Sequence, residues 1–422
     1  MRVLLPPRRM PVWLQGGGVI AVAMGLMNIG TYGFTLVAAR VLGPREYGAV
    51  AAVMGLMMML TVLSLGLQAA GARRVSVAPE TREVTERETV AASYKAGLGL
   101  GVLTLAAAPL VSGLLRLDSA GAAVLLALAL VPLTVMGAYA GIFQGERRWG
   151  PLAAIYLSVG LGRLCFGVLG MAVRDDVVGA MAGVAAGNAV PAVLGWWFLR
   201  RSGRVRAPNA GLPTERRTSV RAVLTEVAHN SHALLAFFTL SNVDVVIARN
   251  ALDDHRAGLY AGGLILAKAV LFLPQFVVVI AFPSMVRRGE SRMQVQALGL
   301  ILAMGAAVTA GAAVLAPLAV LFVGGSAYGE LKPYLWGFAA VGTLLAMVQL
   351  LVYRAIARQQ RSAVVVVWAG LAALIPSTFL VDRPTELLVW EGAVHATVLV
   401  ALLGTLLVLA ARRSRSHRSD RD

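Results

Sequence analysis

The sequence predicts an all-α polytopic membrane protein, with twelve transmembrane helices in two six-helix bundles related by a parallel pseudo-twofold repeat. Three observations carry this prediction. Of the 422 residues, 58% are hydrophobic and 14% charged, against roughly 45–50% and about 25% in a soluble domain. The charges collect in short bands between long apolar stretches, and the basic residues alternate from one band to the next. Two stretches of the first half recur in the second at a common spacing.

The expected spans are 17–39, 48–70, 95–115, 119–143, 151–173 and 177–199, then 230–251, 257–285, 296–323, 332–353, 361–381 and 388–411. Each is long enough to cross a hydrocarbon core of about 30 Å at about 1.5 Å per helical residue. Barrel strands would alternate polar and apolar residues, whereas Ala123 to Val131 is continuously apolar. The frame around these spans is a cytoplasmic N-terminus (1–16), a first bundle (17–200), a cytoplasmic connector (201–229), a second bundle (230–411) and a basic cytoplasmic tail (412–422). The connector holds Gly203, Pro208, Gly211 and Pro213 among several charges.

Orientation follows from the basic loops. Twenty-eight Lys and Arg fall on the side that holds both termini, and eight on the other. The positive-inside rule then places both termini in the cytoplasm of a multi-pass cell-membrane protein. The net charge of +17 is accounted for by these loops, which suit anionic inner-leaflet lipid and do not imply nucleic acid. The first apolar stretch is long for a signal peptide and leads straight into further spans, so it is expected to stay.

The repeat is read from two places. Ala39-Arg40 ends the first span and Gly48 opens the second; Ala248-Arg249 and Gly258 do the same in spans seven and eight, 209 and 210 residues later. Ala108-Pro109-Leu110 returns as Ala316-Pro317-Leu318, 208 residues on. Halves with an even number of spans share one orientation, which implies a pseudo-twofold axis along the membrane normal and a cavity between bundles. Secondary transporters use such layouts.

Few residues break the apolar pattern. Arg163 and Lys268 lie deep in spans five and eight, where a lipid-facing charge costs at least about 2.5–3.5 kcal/mol. They suit an anionic cargo, or Lys268 pairs with Asp244, or the side chains snorkel. Asp244 reads as the one acid well inside a span, able to bind a coupling cation, relay a proton or neutralise Lys268 or Arg249. Arg40 and Arg249 complement helix C-termini and are also candidates for an outer gate. Pro274 and Pro283 make span eight the candidate bending gate. Gln144, Tyr139 and Asn188 are possible sugar contacts.

Other features are bland. Trp196 and Trp197 before Arg200 read as an interfacial anchor, and Glu80 to Glu88 as a solvated cytoplasmic helix or loop. His229 and His232 lack acidic or thiol companions for a metal, and the single Cys165 excludes an internal disulfide. No Gly-x-x-x-x-Gly-Lys-Ser/Thr loop or His-Glu-x-x-His pair occurs, so neither an enzyme nor a cofactor is expected.

Arg40-Val41-Leu42-Gly43-Pro44-Arg45-Glu46-Tyr47-Gly48, the helix ending Gly66-Leu67, and the runs Asn242-Val243-Asp244 and Ala257-Gly258-Leu259-Tyr260-Ala261 resemble polysaccharide-biosynthesis flippases. These belong to the multidrug/oligosaccharidyl-lipid/polysaccharide exporter superfamily. The resemblance implies a MATE-like exporter fold that moves polyprenyl-diphosphate-linked oligosaccharide from inner to outer leaflet by alternating access. It also implies basic cavity residues, for which Arg163 and Lys268 are the positions here, and possible glycan polymerase or glycosyltransferase partners. A diphosphate is a dense anion that suits Arg and Lys. The rival readings are a multidrug or organic-ion exporter, which would want cavity carboxylates, and a non-transporting scaffold of a glycan-assembly complex. The glycan and the coupling ion are not written in these residues.

Overall fold

A computed structural model describes residues 17–77, 82–201, 220–272, 290–357 and 360–419, and every regular element among them is helical. The first half comprises α1 (Gly17–Leu60), α2 (Val62–Val77), α3 (Arg82–Ala106), α4 (Ala108–Leu114), α5 (Gly121–Gly145), α6 (Trp149–Val173) and α7 (Val177–Arg201). The second comprises α8 (Val220–Leu240), α9 (Val243–Ala251), α10 (Asp254–Val270), α11 (Glu290–Val314) and α12 (Ala316–Val323). A 3₁₀ turn (Ser326–Leu331), α13 (Leu335–Ala357), α14 (Arg361–Leu374), α15 (Ser377–Leu380) and α16 (Pro384–Ser419) complete it.

Ten helices among the described residues are long and apolar enough to cross a membrane. Two local causes separate this count from the expected twelve. The run Gly17–Val77 counts once although it holds 61 residues, and inside it the backbone leaves helical geometry at Gly43 (φ 71°, ψ 177°). Glycine takes that positive φ without a Cβ clash, and Pro44 fixes the next φ. In addition α10 has 17 described residues, one short of a countable span, and the expected continuation to 285 lies outside the described residues.

Several boundaries differ from expectation. The helix expected from 230 starts at Val220, because Val223 and Val227 form one apolar stripe on α8 that packs on Leu67, Ala70 and Ala92. The helix expected from 95 starts at Arg82. Far from being solvated, Glu86 is buried there, with Arg82 3.3 Å away and also 2.5 Å from the buried Glu146 carboxylate. Arg148 joins the same group at 3.1 Å. The two Ala-Pro-Leu stretches break their helices alike: α4 starts at Ala108 and α12 at Ala316. Proline lacks the N–H that a continuous helix would use, so a new helix starts there.

Small residues bring the helices together. Gly137, Gly141 and Gly145 of α5 lie on the carbonyls of Ser64, Gln68 and Ala72, where an added Cβ would come within 2.3, 2.4 and 2.7 Å. Gly179, Gly183 and Gly187 of α7 make the same stripe on α6. Without a hydrophobic drive between helices in lipid, such close backbone contact supplies the packing. The outside is apolar, with Ile29, Leu110, Val173, Val314, Phe379 and Val389 exposed.

Both ends carry interfacial chemistry. Arg200 and Arg201 stack on Trp196 and Trp197, 4.2 and 4.4 Å from the ring centroids. At the opposite end Asp176 accepts from the Gly179 N–H at 2.8 Å and from Arg174 at 2.6 Å. Partial burial works against the Asp176 charge, but these donors outweigh it and hold the carboxyl below its ordinary range.

Candidate functional site

The two halves meet where the repeat predicts equivalent residues. A Cβ on Gly48 would sit 2.9 Å from Gly258 Cα, and one on Gly258 would sit 1.9 Å from the Pro44 carbonyl oxygen. Residues that correspond between two copies touch each other only near the axis relating them. This contact lies at the end of the molecule that has few basic residues.

Side chains lace that end across the halves. Arg249 is 3% exposed; its Nε donates to Leu115 O at 2.8 Å and its Nη2 donates to Arg116 O. Arg116 returns the contact, with Nη1 donating to Arg249 O at 2.9 Å and Leu252 O at 3.0 Å. Asn250 Nδ2 donates to Leu114 O at 2.8 Å. The last carbonyls of α4 and of α9, which no helix can satisfy internally, are thus satisfied by the opposite half. Arg116 holds a positive φ of 48° to do this, a conformation that non-glycine residues keep only where the surroundings enforce it.

Further contacts extend the seam. Arg40 Nη2 donates to Leu321 O at 2.6 Å, and Arg45 lies 3.6 Å from Asp118 and 3.8 Å from Asp254. Tyr328 donates to Ala39 O at 3.2 Å. Deeper, Tyr32 donates to Ile265 O at 2.8 Å and packs against Phe272 and Phe322. Arg40 and Arg249 therefore both stand at the junction, together with Arg116, which the sequence marked only as a loop charge. Each hydrogen bond to a charged group contributes about 1.5–3 kcal/mol. Replacing Arg116 and Arg249 together by Ala should raise thiol labelling of a cysteine placed at Leu252 severalfold, while Arg45→Ala should change it little, its ion pairs being exposed.

A buried polar cluster occupies the second half. The chain breaks between α8 and α9 at Ser241-Asn242, and Asn242 Nδ2 donates to Phe238 O at 2.9 Å. Asn242 Oδ1 accepts from Lys268 Nζ at 3.0 Å. Gly55 of the first half covers Asn242, where an added Cβ would lie 3.3 Å from its carbonyl oxygen. Two residues on, Asp244 is buried and lies beside Glu391 of α16. Glu391 also accepts from the Tyr260 hydroxyl and has His395 Nδ1 at 3.7 Å. Tyr260, Glu391 and His395 are all buried.

This cluster corrects one expectation. Asp244 is not the lone deep acid, since Glu391 lies beside it. Nor does Lys268 bridge directly to Asp244; it donates to Asn242 instead. The expected span 388–411 puts Glu391 close to its start. The helix in fact starts at Pro384, which carries Glu391 two turns inward. The legible signal was Glu391 and His395 at i, i+4 on an apolar helix, a spacing that puts both on one face.

Arg163 stands apart from Lys268, in the first half on α6 and 2% exposed. Of the expected sugar contacts, Asn188 and Tyr139 are buried and Gln144 is exposed. Gln68 Nε2 donates to Gln144 Oε1 at 2.9 Å and to the Tyr156 hydroxyl at 2.7 Å. Pro274 and Pro283 lie outside the described residues. Among the described residues, no group of three His, Cys, Asp or Glu is placed to hold a metal ion.

Comparison with known proteins places this arrangement. Residues 13–288 match a family model described as polysaccharide biosynthesis protein. No curated protein matches the sequence. Among solved structures, an inward-facing multidrug resistance MATE family transporter of the MOP superfamily is similar at TM-score 0.71 and 13% identity, over 94% of this chain and 96% of that one. The lipid II flippase MurJ in an inward closed conformation is similar at TM-score 0.68 and 11% identity, over 92% and 87%. A MOP superfamily transporter from Pyrococcus furiosus, described as having a binding pocket of reverse polarity, is similar at TM-score 0.61 and 15% identity, over 95% of each chain. At these identities the likeness is one of fold.

Proposed function

The chain belongs to the polysaccharide biosynthesis protein family, and from that premise we propose that it flips polyprenyl-diphosphate-linked oligosaccharide from the inner to the outer leaflet by alternating access. The observation that carries this reading is the seam, where repeat-related Gly48 and Gly258 meet and reciprocal arginine contacts tie one end shut. Two like halves hinged on an axis, with one end latched, are what a rocking transporter requires. In this reading the spans number twelve, six to each half, because 17–77 crosses twice and the sequence reads 257–285 as one apolar span. Both termini are cytoplasmic by the distribution of basic loops, so the latched end is the outer one. Arg40, Arg116 and Arg249 form its gate.

Cargo charge follows from the deep cations. Lys268 stands beside Asn242, which Gly55 of the first half covers, whereas Arg163, the other deep cation, lies inside the first half. Lys268 favours the diphosphate of a lipid-linked sugar, while the polyprenyl tail stays in lipid. Exposure of Gln144, bonded to Gln68, supports a contact with sugar hydroxyls. Substituting Lys268 by Ala should slow flipping of defined lipid-linked glycans in reconstituted vesicles by about 10-fold, a loss of about 1.4 kcal/mol, and Arg163→Ala in the same assay tests the direct cargo role the sequence suggested. Unchanged rates in well-folded variants would remove these residues from the mechanism.

One observation favours a second reading. The Asp244–Glu391 pair is the kind of acid an organic-cation exporter needs, but both residues are buried inside the second half and suit ion coupling better than cargo. Uptake of a cationic dye by the same vesicles, without flipping, would favour the exporter. Full restoration of glycan assembly by a transport-dead variant would favour a scaffold that only gathers polymerase or glycosyltransferase partners.

A further inference from the structure

Arg163 is a cation without a counter-charge. It is 2% exposed, its Nε is buried with no partner, and among the described residues it makes neither an ion pair nor a hydrogen bond. The side chain cannot snorkel. It lies ten residues from the nearer end of α6, or about 15 Å along the axis, beyond the reach of an arginine. An isolated buried charge is destabilising by several kcal/mol unless something pairs with it.

The surroundings set the size of that partner. On the same face of α6, one turn to either side, Gly160 meets Met27 and Gly30, and Gly167 meets Phe34. The adjacent Gly162 meets Gly187 of α7 backbone to backbone. Helices held this close leave no room for a sugar or a lipid head. Beside Gly187 stands Asn188, 1% exposed, whose amide donates only to Met57 Sδ at 3.7 Å and whose Oδ1 has no partner. A thioether is a weak acceptor, so this amide is available to a better one. Two under-satisfied polar groups therefore flank one tight crossing.

We infer that Arg163 is the centre of an inorganic-anion site in the core of the first half, taking a monovalent ion of chloride size with the Asn188 amide as its second donor. The site neutralises a charge that the apolar bundle could not otherwise hold, and it stands whether or not the cargo assignment does. Its test uses the purified full-length protein without lipid-linked glycan. Equilibrium dialysis with radiolabelled chloride should show one saturable site per chain. The apparent unfolding temperature should be higher by about 2 °C or more in chloride than in gluconate, as expected of a ligand held by the folded state. Arg163→Gln should lose both effects. Arg163→Lys keeps the charge but not the planar fork and should bind at least about 10-fold more weakly.

Three results would overturn the inference: no saturable chloride binding by the wild-type protein, equal binding by Arg163→Gln, or inorganic pyrophosphate displacing chloride at lower concentration than chloride itself. The last would make the site the seat of the cargo's diphosphate. Should Arg163→Gln fail to fold, wild type and Arg163→Lys still decide the question.

Discussion

Replacing Gly258 by alanine should stop transport while leaving the chain inserted and folded. The added Cβ would lie 1.9 Å from the Pro44 carbonyl oxygen and near two more backbone atoms of Pro44. Ordinary contact needs about 3.5–4.0 Å, and backbone on both sides cannot turn aside as a side chain can. Overpacking within a bundle costs about 1–3 kcal/mol and is absorbed by small shifts. Here the overlap lies between bundles, so the easiest relief is to part the halves at that end. Hydrogen bonds at 2.8–3.0 Å from Arg249, Arg116 and Asn250 would be stretched by the same movement. We expect flipping to fall by about 100-fold, or about 2.7 kcal/mol, and a cysteine at Ala39, buried in the native protein, to become reactive from outside in a Cys165→Ser background. Gly99→Ala, with nothing within 4 Å of its Cβ, is the control and should behave as wild type. Wild-type flipping by Gly258→Ala would show that the seam does not close during transport.

That prediction rests on a contact the sequence showed only in part. The recurrence of Gly48 as Gly258 was visible, as were the matching Ala-Pro-Leu breaks, because copied residues keep their spacing. That the copies touch is a property of the axis between them, and no single helix encodes it. Span positions were legible because hydrocarbon imposes apolar length. The early starts of α3 and α8 were hidden, because Arg82, or Val223 and Val227, find partners distant in sequence. Arg163 announced its depth by charge alone, yet its isolation required knowing that no carboxylate among the described residues pairs with it. Arg116 was invisible as a contact between the halves, since its reach depends on a backbone turned to positive φ. Glu391 was missed because a headgroup-level acid and a buried one look alike until the start of the helix is known.

Glu391→Gln should separate transport from its driving gradient. Two carboxyl groups buried side by side repel if both are charged, so Asp244 and Glu391, both buried, are the pair expected to hold a shared proton or exchange it for a cation. Tyr260 donates to the same carboxylate, which fixes its orientation, and His395 stands 3.7 Å away. Glutamine keeps the shape of Glu391 but removes the proton-exchanging group, and Asp244→Asn does the same from the other side. Either change should cut gradient-driven flipping by about 100-fold, with binding of lipid-linked glycan changed by less than about threefold. Because the two carboxyls act as a unit, the double variant should be little worse than either single one. Tyr260→Phe leaves both acids and should lose less, about 10-fold. Glu386→Gln, on the exposed part of the same helix, should lose nothing. If Glu391→Gln stays fully responsive to proton and sodium gradients alike, the carboxyl pair is a structural clasp between α9 and α16, and coupling must be sought in the first half. A variant that binds cargo normally, flips it slowly and ignores every gradient would place the energy input at this pair, on the half opposite Arg163. One half would then answer to the gradient and the other hold a fixed charge, which is a physical reason for two near-identical bundles to have diverged.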